Sequence, residues 1–116
     1  MIKDLENIIE TVDVRGILVV CKKSQWEKHI TLLHPEVVGK EKIVENTIKT
    51  PEAIYQSEED QKRDVYFDKI DNNNKYMKVI VEMSSPNYGE IVTAFPRKGI
   101  TGNIDMKVMK YDKSKL

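Results

Sequence analysis

Both histidines of this 116-residue chain, His29 and His34, fall between Trp26 and Glu36. Imidazole titrates near neutrality, so this residue type suits proton transfer in either direction. Metal chemistry fits the pair less well. Five residues of helix separate the two rings by about 140° round the axis, which is poor geometry for joint ligation. With two histidines and one cysteine, carboxylates would have to complete a zinc site, and we expect no metal and no cofactor. Cys21 sits in the apolar run Ile17-Leu18-Val19-Val20-Cys21 and reads as a buried strand thiol rather than a nucleophile. Walker-type, dinucleotide-binding and H-E-x-x-H motifs are missing.

The elements that must carry the histidines can be read from spacing. Ser24 followed by Glu27 has the form of a capping box, and Trp26, Ile30 and Leu33 recur as one apolar stripe. The residue before a proline is pushed out of helical geometry, so His34-Pro35 predicts a helix end with His34 on the bend. Ile43, Val44, Thr47 and Ile48 predict a second short helix that stops at Thr50-Pro51. Upstream, Leu5, Ile8, Ile9 and Val12 have helical spacing and predict a short helix over residues 3–10. The run 17–21 predicts a buried strand.

Strand periodicity takes over after residue 53. Ala53-Ile54-Tyr55 begins a strand, and Ser57 to Lys62 is a charged connection. Val65-Tyr66-Phe67, the alternating stretch Tyr76 to Met83, and Ile91-Val92-Thr93-Ala94-Phe95 are separated by Asn-, Ser-, Pro- and Gly-rich turns, with Pro96 expected to end the last strand. This order implies an antiparallel meander. The fold class that follows is α+β, with an N-terminal strand and two short helices packed on a twisted antiparallel sheet of about four strands.

Length and composition suit one domain, residues 1–116, with a core of about 17–96 and a basic tail over 97–116. Apolar residues make up 40% and charged residues 33%, and the 19 basic side chains balance 19 acidic ones. The charge is unevenly placed: six basic against two acidic side chains follow residue 96, which suits phosphate contacts. No apolar run approaches the roughly 20 residues of a membrane span, and the N-terminus lacks a secretory pattern. A single cysteine and these absences predict a cytoplasmic location with no membrane partner.

The run Trp26-x-x-His29-Ile30-x-x-x-His34-Pro35-Glu36, then Thr50-Pro51-Glu52-x-Ile54, then Ile91-Val92-Thr93-Ala94-Phe95 carries a resemblance. It is similar to the phage and mobile-element branch of the barnase–EndoU–colicin–RelE-like nucleases over about residues 17 to 96. Leu33 is a departure, since many such sequences have arginine before the second His-Pro. The resemblance implies a toxin-like, metal-independent endoribonuclease: a 2′-OH attacks the neighbouring phosphate, and a 2′,3′-cyclic phosphate results. It implies His29 and His34 as acid and base, with Thr93 and Lys78 beside the phosphate. Tyr66 and Tyr76 would stack on bases, and Arg97 and Lys98 would add positive charge. The partners implied are RNA (tRNA or mRNA) and a cognate inhibitor protein. The alternative is a catalytically inactive RNA- or protein-binding module of the same fold.

Overall fold

The computed structural model describes residues 6–115. Its centre is a seven-stranded sheet in the order β1-β2-β6-β5-β4-β3-β7. The strands are β1 (Asn7–Val12), β2 (Leu18–Lys22), β3 (Ala53–Ser57), β4 (Arg63–Lys69), β5 (Lys75–Ser85), β6 (Tyr88–Lys98) and β7 (Ile104–Asp112). β3 to β6 form the expected antiparallel meander. The expected four strands become seven because both ends of the chain add to it. β1 pairs antiparallel with β2, which lies parallel to β6 through Leu18–Tyr88, Val19–Gly89 and Val20–Glu90. β7 pairs with β3, so within the basic tail 97–116 the stretch 104–111, which the sequence reads as a weak strand or a helical turn, is a strand.

Three local expectations change. Residues 7–10 belong to β1 and not to a helix, and the rest of that expectation, 3–5, lies outside the described residues. Ile8, Ile9 and Val12 fit a helical stripe on paper, but pairing of Asn7–Val12 with β2 decides the conformation. Pro96 does not end β6, which runs on to Lys98. Proline lacks only its own N–H donor, and this half of β6 has lost β2 as a ladder partner. The capping box at Ser24 does not form either, because the helix starts at Lys23 with no side-chain cap.

The first helix runs over 23–33 and is not regular. An α-turn, Lys23–Gln25, leads into a π-helical segment, Trp26–Ile30, and a last α-turn, Thr31–Leu33. The Thr31 N–H bonds to the Trp26 carbonyl, five residues back, and the Thr31 hydroxyl donates to the same oxygen at 3.0 Å. One extra residue in a turn delays everything after it by roughly 100°. Trp26 and Ile30 therefore stay buried, while Leu33 is swung to 61% exposure and leaves the predicted stripe. The helix ends at His34 (φ −130°, ψ 75°), as the following proline requires, and a 3-10 turn, Pro35–Val37, leads to the second helix, Glu41–Lys49.

The sheet buries side chains on both faces. Trp26, Ile30, Val37, Val44 and Ile48 from the helical region pack with Ile54, Met77, Val79, Val81 and Ala94. On the other face, Ala53, Tyr55, Val65, Phe67, Tyr76 and Ile104 form a second cluster with Ile80 and Ile100. The helix also guards part of β6, where the Gln25 Nε2 donates to the Val92 carbonyl at 2.7 Å. No helix among the described residues is long and apolar enough to cross a membrane.

Candidate functional site

Pairing between β5 and β6 determines which side chains share a face. Lys78 faces Phe95, Ile80 faces Thr93 and Tyr76 faces Arg97. Directly opposed residues project to the same side of a sheet. This is the face away from the main helix-packed core, so Tyr76, Lys78, Thr93, Phe95 and Arg97 lie together there.

His34 joins them from the helix end. Its imidazole stacks on the Phe95 ring, with centroids 4.5 Å apart and 22° between planes. The bend before Pro35 carries the ring past the edge of β6 onto this face, and His34 remains half-buried. The Lys78 ammonium lies 5.5 Å from the centroid of the same Phe95 ring and 5.8 Å from that of Phe67. Imidazole and ammonium thus flank one aromatic side chain.

Lys78 is 2% exposed, and its ammonium donates to the carbonyls of Gly102 (2.6 Å) and Thr101 (3.2 Å). Carbonyl dipoles compensate a charge less completely than a carboxylate does. Burial, with Arg97 adding repulsion against a weaker opposing pull from Glu59, lowers the Lys78 pKa to about 8. The loop that supplies these carbonyls is also held by Arg97, whose Nε donates to Thr101 Oγ1 at 2.9 Å. Gly102 has φ +90°, and a Cβ there would lie 2.8 Å from Arg97 Cζ and 2.9 Å from Lys78 Nζ. A side chain would push the strap off the cation it covers.

The other candidates lie elsewhere or are enclosed. His29 is exposed on the helix, and no hydrogen bond or ring contact joins it to the Phe95 cluster. Lys98 is exposed opposite Lys75 and alternates away from Arg97. The Thr93 hydroxyl is buried and has no hydrogen-bond partner among the described residues. Tyr76 is 7% exposed and donates to Glu52 Oε2 at 3.1 Å. Tyr66 cannot stack on a base, because its ring is wholly enclosed in the core on the opposite face.

Tyr66 instead belongs to a charged network that the sequence did not reveal. Its hydroxyl donates to Asp13 Oδ2 at 2.7 Å and accepts from Arg15 Nη2 at 2.9 Å. The Asp13 carboxylate also accepts from the Arg15 N–H (2.8 Å), the Ile17 N–H (2.9 Å) and Arg15 Nε (3.0 Å). Asp64 accepts from Arg15 Nη2 at 2.9 Å and from Lys110 Nζ at 2.7 Å. Burial works against the Arg15 guanidinium, but Tyr66, Asp64 and Asp13 more than offset it, and its pKa lies above the ordinary value. Burial also pushes the Tyr66 phenol up. The signal available was Asp64, a charge two residues from Tyr66 inside an apolar strand and hence on the same face.

Cys21 is buried, and burial, reinforced by Glu90, pushes its thiol up to about 12, which removes it as a nucleophile near neutrality. No group of three or more potential metal ligands gathers among the described residues. Compared with family models, curated proteins and solved structures, the chain matches none of them.

Proposed function

We propose that the chain is a metal-independent endoribonuclease whose proton-transfer group is His34. The observation that supports this best is the stacking of His34 on Phe95, on the face that also bears Thr93, Lys78 and Arg97. A half-buried imidazole with an aromatic ring beneath it is fixed in orientation yet reachable, as an acid–base group needs to be. The mechanism follows from the chemistry of these groups. Neutral His34 takes the proton from a ribose 2′-OH, the oxygen attacks the adjacent phosphorus, and the 5′-oxygen leaves with a proton. The products are a 2′,3′-cyclic phosphate and a free 5′-hydroxyl. Lys78 is the nearby ammonium that can give that proton to the leaving oxygen once the Thr101 and Gly102 carbonyls release it. Arg97 supplies positive charge toward the phosphorane. His29, on this reading, has no part in the chemistry. tRNA or mRNA is the substrate class, and a toxin-like activity of this kind calls for a cognate inhibitor protein.

The test is incubation of purified protein with total RNA in EDTA, with fragment ends analysed for cyclic phosphate. His34→Ala is expected to lower cleavage by about 10²- to 10⁴-fold, the range for removing a general acid or base. His29→Ala is expected to leave it within a few-fold. Equal loss in both variants would return His29 to the site, and intact RNA with wild-type protein across the pH range would remove the nuclease reading. A second reading has its own support: Lys78 is capped, the Thr93 hydroxyl is enclosed, and only one imidazole meets the sheet. It makes the same face an RNA- or protein-binding module without chemistry, recognised by salt-sensitive RNA binding with no cut ends.

A further inference from the structure

A cavity of about 570 Å³ opens beside the Arg15 network, lined by cationic Arg15, Lys62 and Lys110, by Asp64 and Glu82, and by Ser84 and Ser85. Its size is that of a small-molecule site. The charge balance on its walls is specific. Glu82 is already paired with Arg63 at 3.2 Å. Asp64 is matched by Arg15 and Lys110, and Asp13 behind it by Arg15. Lys62 has no carboxylate within ion-pair range among the described residues, and the lining itself sets three cations (Arg15, Lys62, Lys110) against two carboxylates (Asp64, Glu82), with Arg63 behind Glu82 also meeting Asp60 at 3.9 Å. Arg15 is fixed at its wall by two carboxylates that are almost fully buried, with 23% of its own side chain exposed, and its Nη1 makes no hydrogen bond among the described residues. A guanidinium locked from behind with a free N–H edge is a preorganised anion receptor.

We infer that this cavity binds a terminal phosphate carried on an organic body, of the size of a nucleoside monophosphate. Arg15, Lys62 and Lys110 supply more donors than one carboxylate can use well, whereas a phosphate offers three strong acceptor oxygens. The Ser84 and Ser85 hydroxyls add neutral donors, and Ile17, Met83 and Pro86 give the organic body an apolar wall. Arg15, Asp64 and Tyr66 lie on the face opposite Lys78 and Phe95, so this site does not depend on the cleavage reading. The phosphate can come from a free mononucleotide or from the 5′ end of an RNA.

Calorimetric titration with AMP, with adenosine, and with a 2′-O-methyl oligonucleotide bearing or lacking a 5′-phosphate tests the inference. The modified sugar cannot be cleaved through a 2′-OH, so the result is independent of any nuclease activity. Binding of AMP but not adenosine is expected. Lys62→Ala, which removes an exposed side chain that makes no hydrogen bond or ion pair among the described residues, is expected to weaken AMP about five- to tenfold without altering the fold. Arg15→Lys, which keeps a cation against both carboxylates, is expected to weaken it more. Tighter binding of the 5′-phosphorylated oligonucleotide than of AMP assigns an RNA end as the source, and equal or weaker binding assigns a free mononucleotide. No binding of any phosphorylated probe at millimolar concentration, equal binding of adenosine, or AMP binding untouched by both variants overturns the site.

Discussion

Lys78 and Arg15 are both cations held under the surface of the same sheet, on opposite faces, and they are held differently. Arg15 meets two carboxylates and a phenol, and its charge is locked on at any pH. Lys78 meets two carbonyls and two aromatic faces, with no carboxylate in ion-pair range among the described residues, and its proton is loosened. Residue type and partner charge act together here: a guanidinium is charged near neutrality in any setting, and two carboxylates hold it still, whereas an ammonium buried against carbonyls alone has its proton loosened. The first suits an anion receptor. The second suits acid–base work beside His34.

The largest effect should come from breaking the locked side. Asp13 is 5% exposed and accepts four hydrogen bonds, so Asp13→Ala takes the acceptor from the Tyr66 hydroxyl and leaves the Arg15 guanidinium with Asp64 as its one carboxylate among the described residues. Removing one member of a buried ion pair costs about 3–5 kcal/mol, and urea denaturation should register a loss of that order. A loss under about 1 kcal/mol would mean that the network is wet and interchangeable, and the contrast with Lys78 would disappear.

A smaller, pH-dependent effect tests the loosened side. The folded Lys78 pKa, about 8, lies below its ordinary 10.5, so between those values the unfolded chain binds more protons than the folded one. Stability from this group therefore rises as pH climbs through that window and is flat below it, by about 1.4 kcal/mol for each unit of difference. The tyrosines oppose this above pH 10, since the pKa values of Tyr66 and Tyr76 are raised. Comparison with Lys78→Met isolates the lysine. The variant should lack the wild-type gain between about pH 8 and 10.5, and parallel stability curves for the two proteins would refute the lowered pKa.

Sequence periodicity reached the elements better than their assembly. The 41–49 helix, the stop at His34 and the β3–β6 meander follow from local rules, since proline geometry and period-two alternation act over a few residues. β1 misleads a local reading and β7, whose residues 104–111 read as a weak strand or helical turn, stays undecided, because each is made a strand by its partner, Lys22 for Asn7 and Ile54 for Tyr111. Four candidate residues, Tyr76, Lys78, Thr93 and Arg97, share a face by the alternation of β5 and β6, which is readable locally, and His34 reaches that face from the bend before Pro35. Phe95, which joins His34 to Lys78, stood in the quoted motif without a role. The Asp13–Arg15–Asp64–Tyr66 network joins residues about fifty positions apart, and no local pattern encodes that pairing.

The smallest effect bears on how His34 is presented. A regular helix over 23–33 would bury Leu33 with Trp26 and Ile30, whereas the π-turn carries Leu33 outward just before the bend at His34. Ile30 is fully buried, so Ile30→Ala should cost about 2–5 kcal/mol, the range for truncating a core aliphatic. Leu33→Ser should change stability by less than about 0.5 kcal/mol, as surface substitutions do. On the proposed nuclease reading it should also leave any RNA cleavage at the wild-type rate, because it alters neither the Thr31–Trp26 bonds nor the Phe95 platform. A loss near the Ile30→Ala value in chemical denaturation would put Leu33 back in the apolar stripe. The helix would then be regular, and His34 would leave it at a different angle from the one that brings its ring onto Phe95.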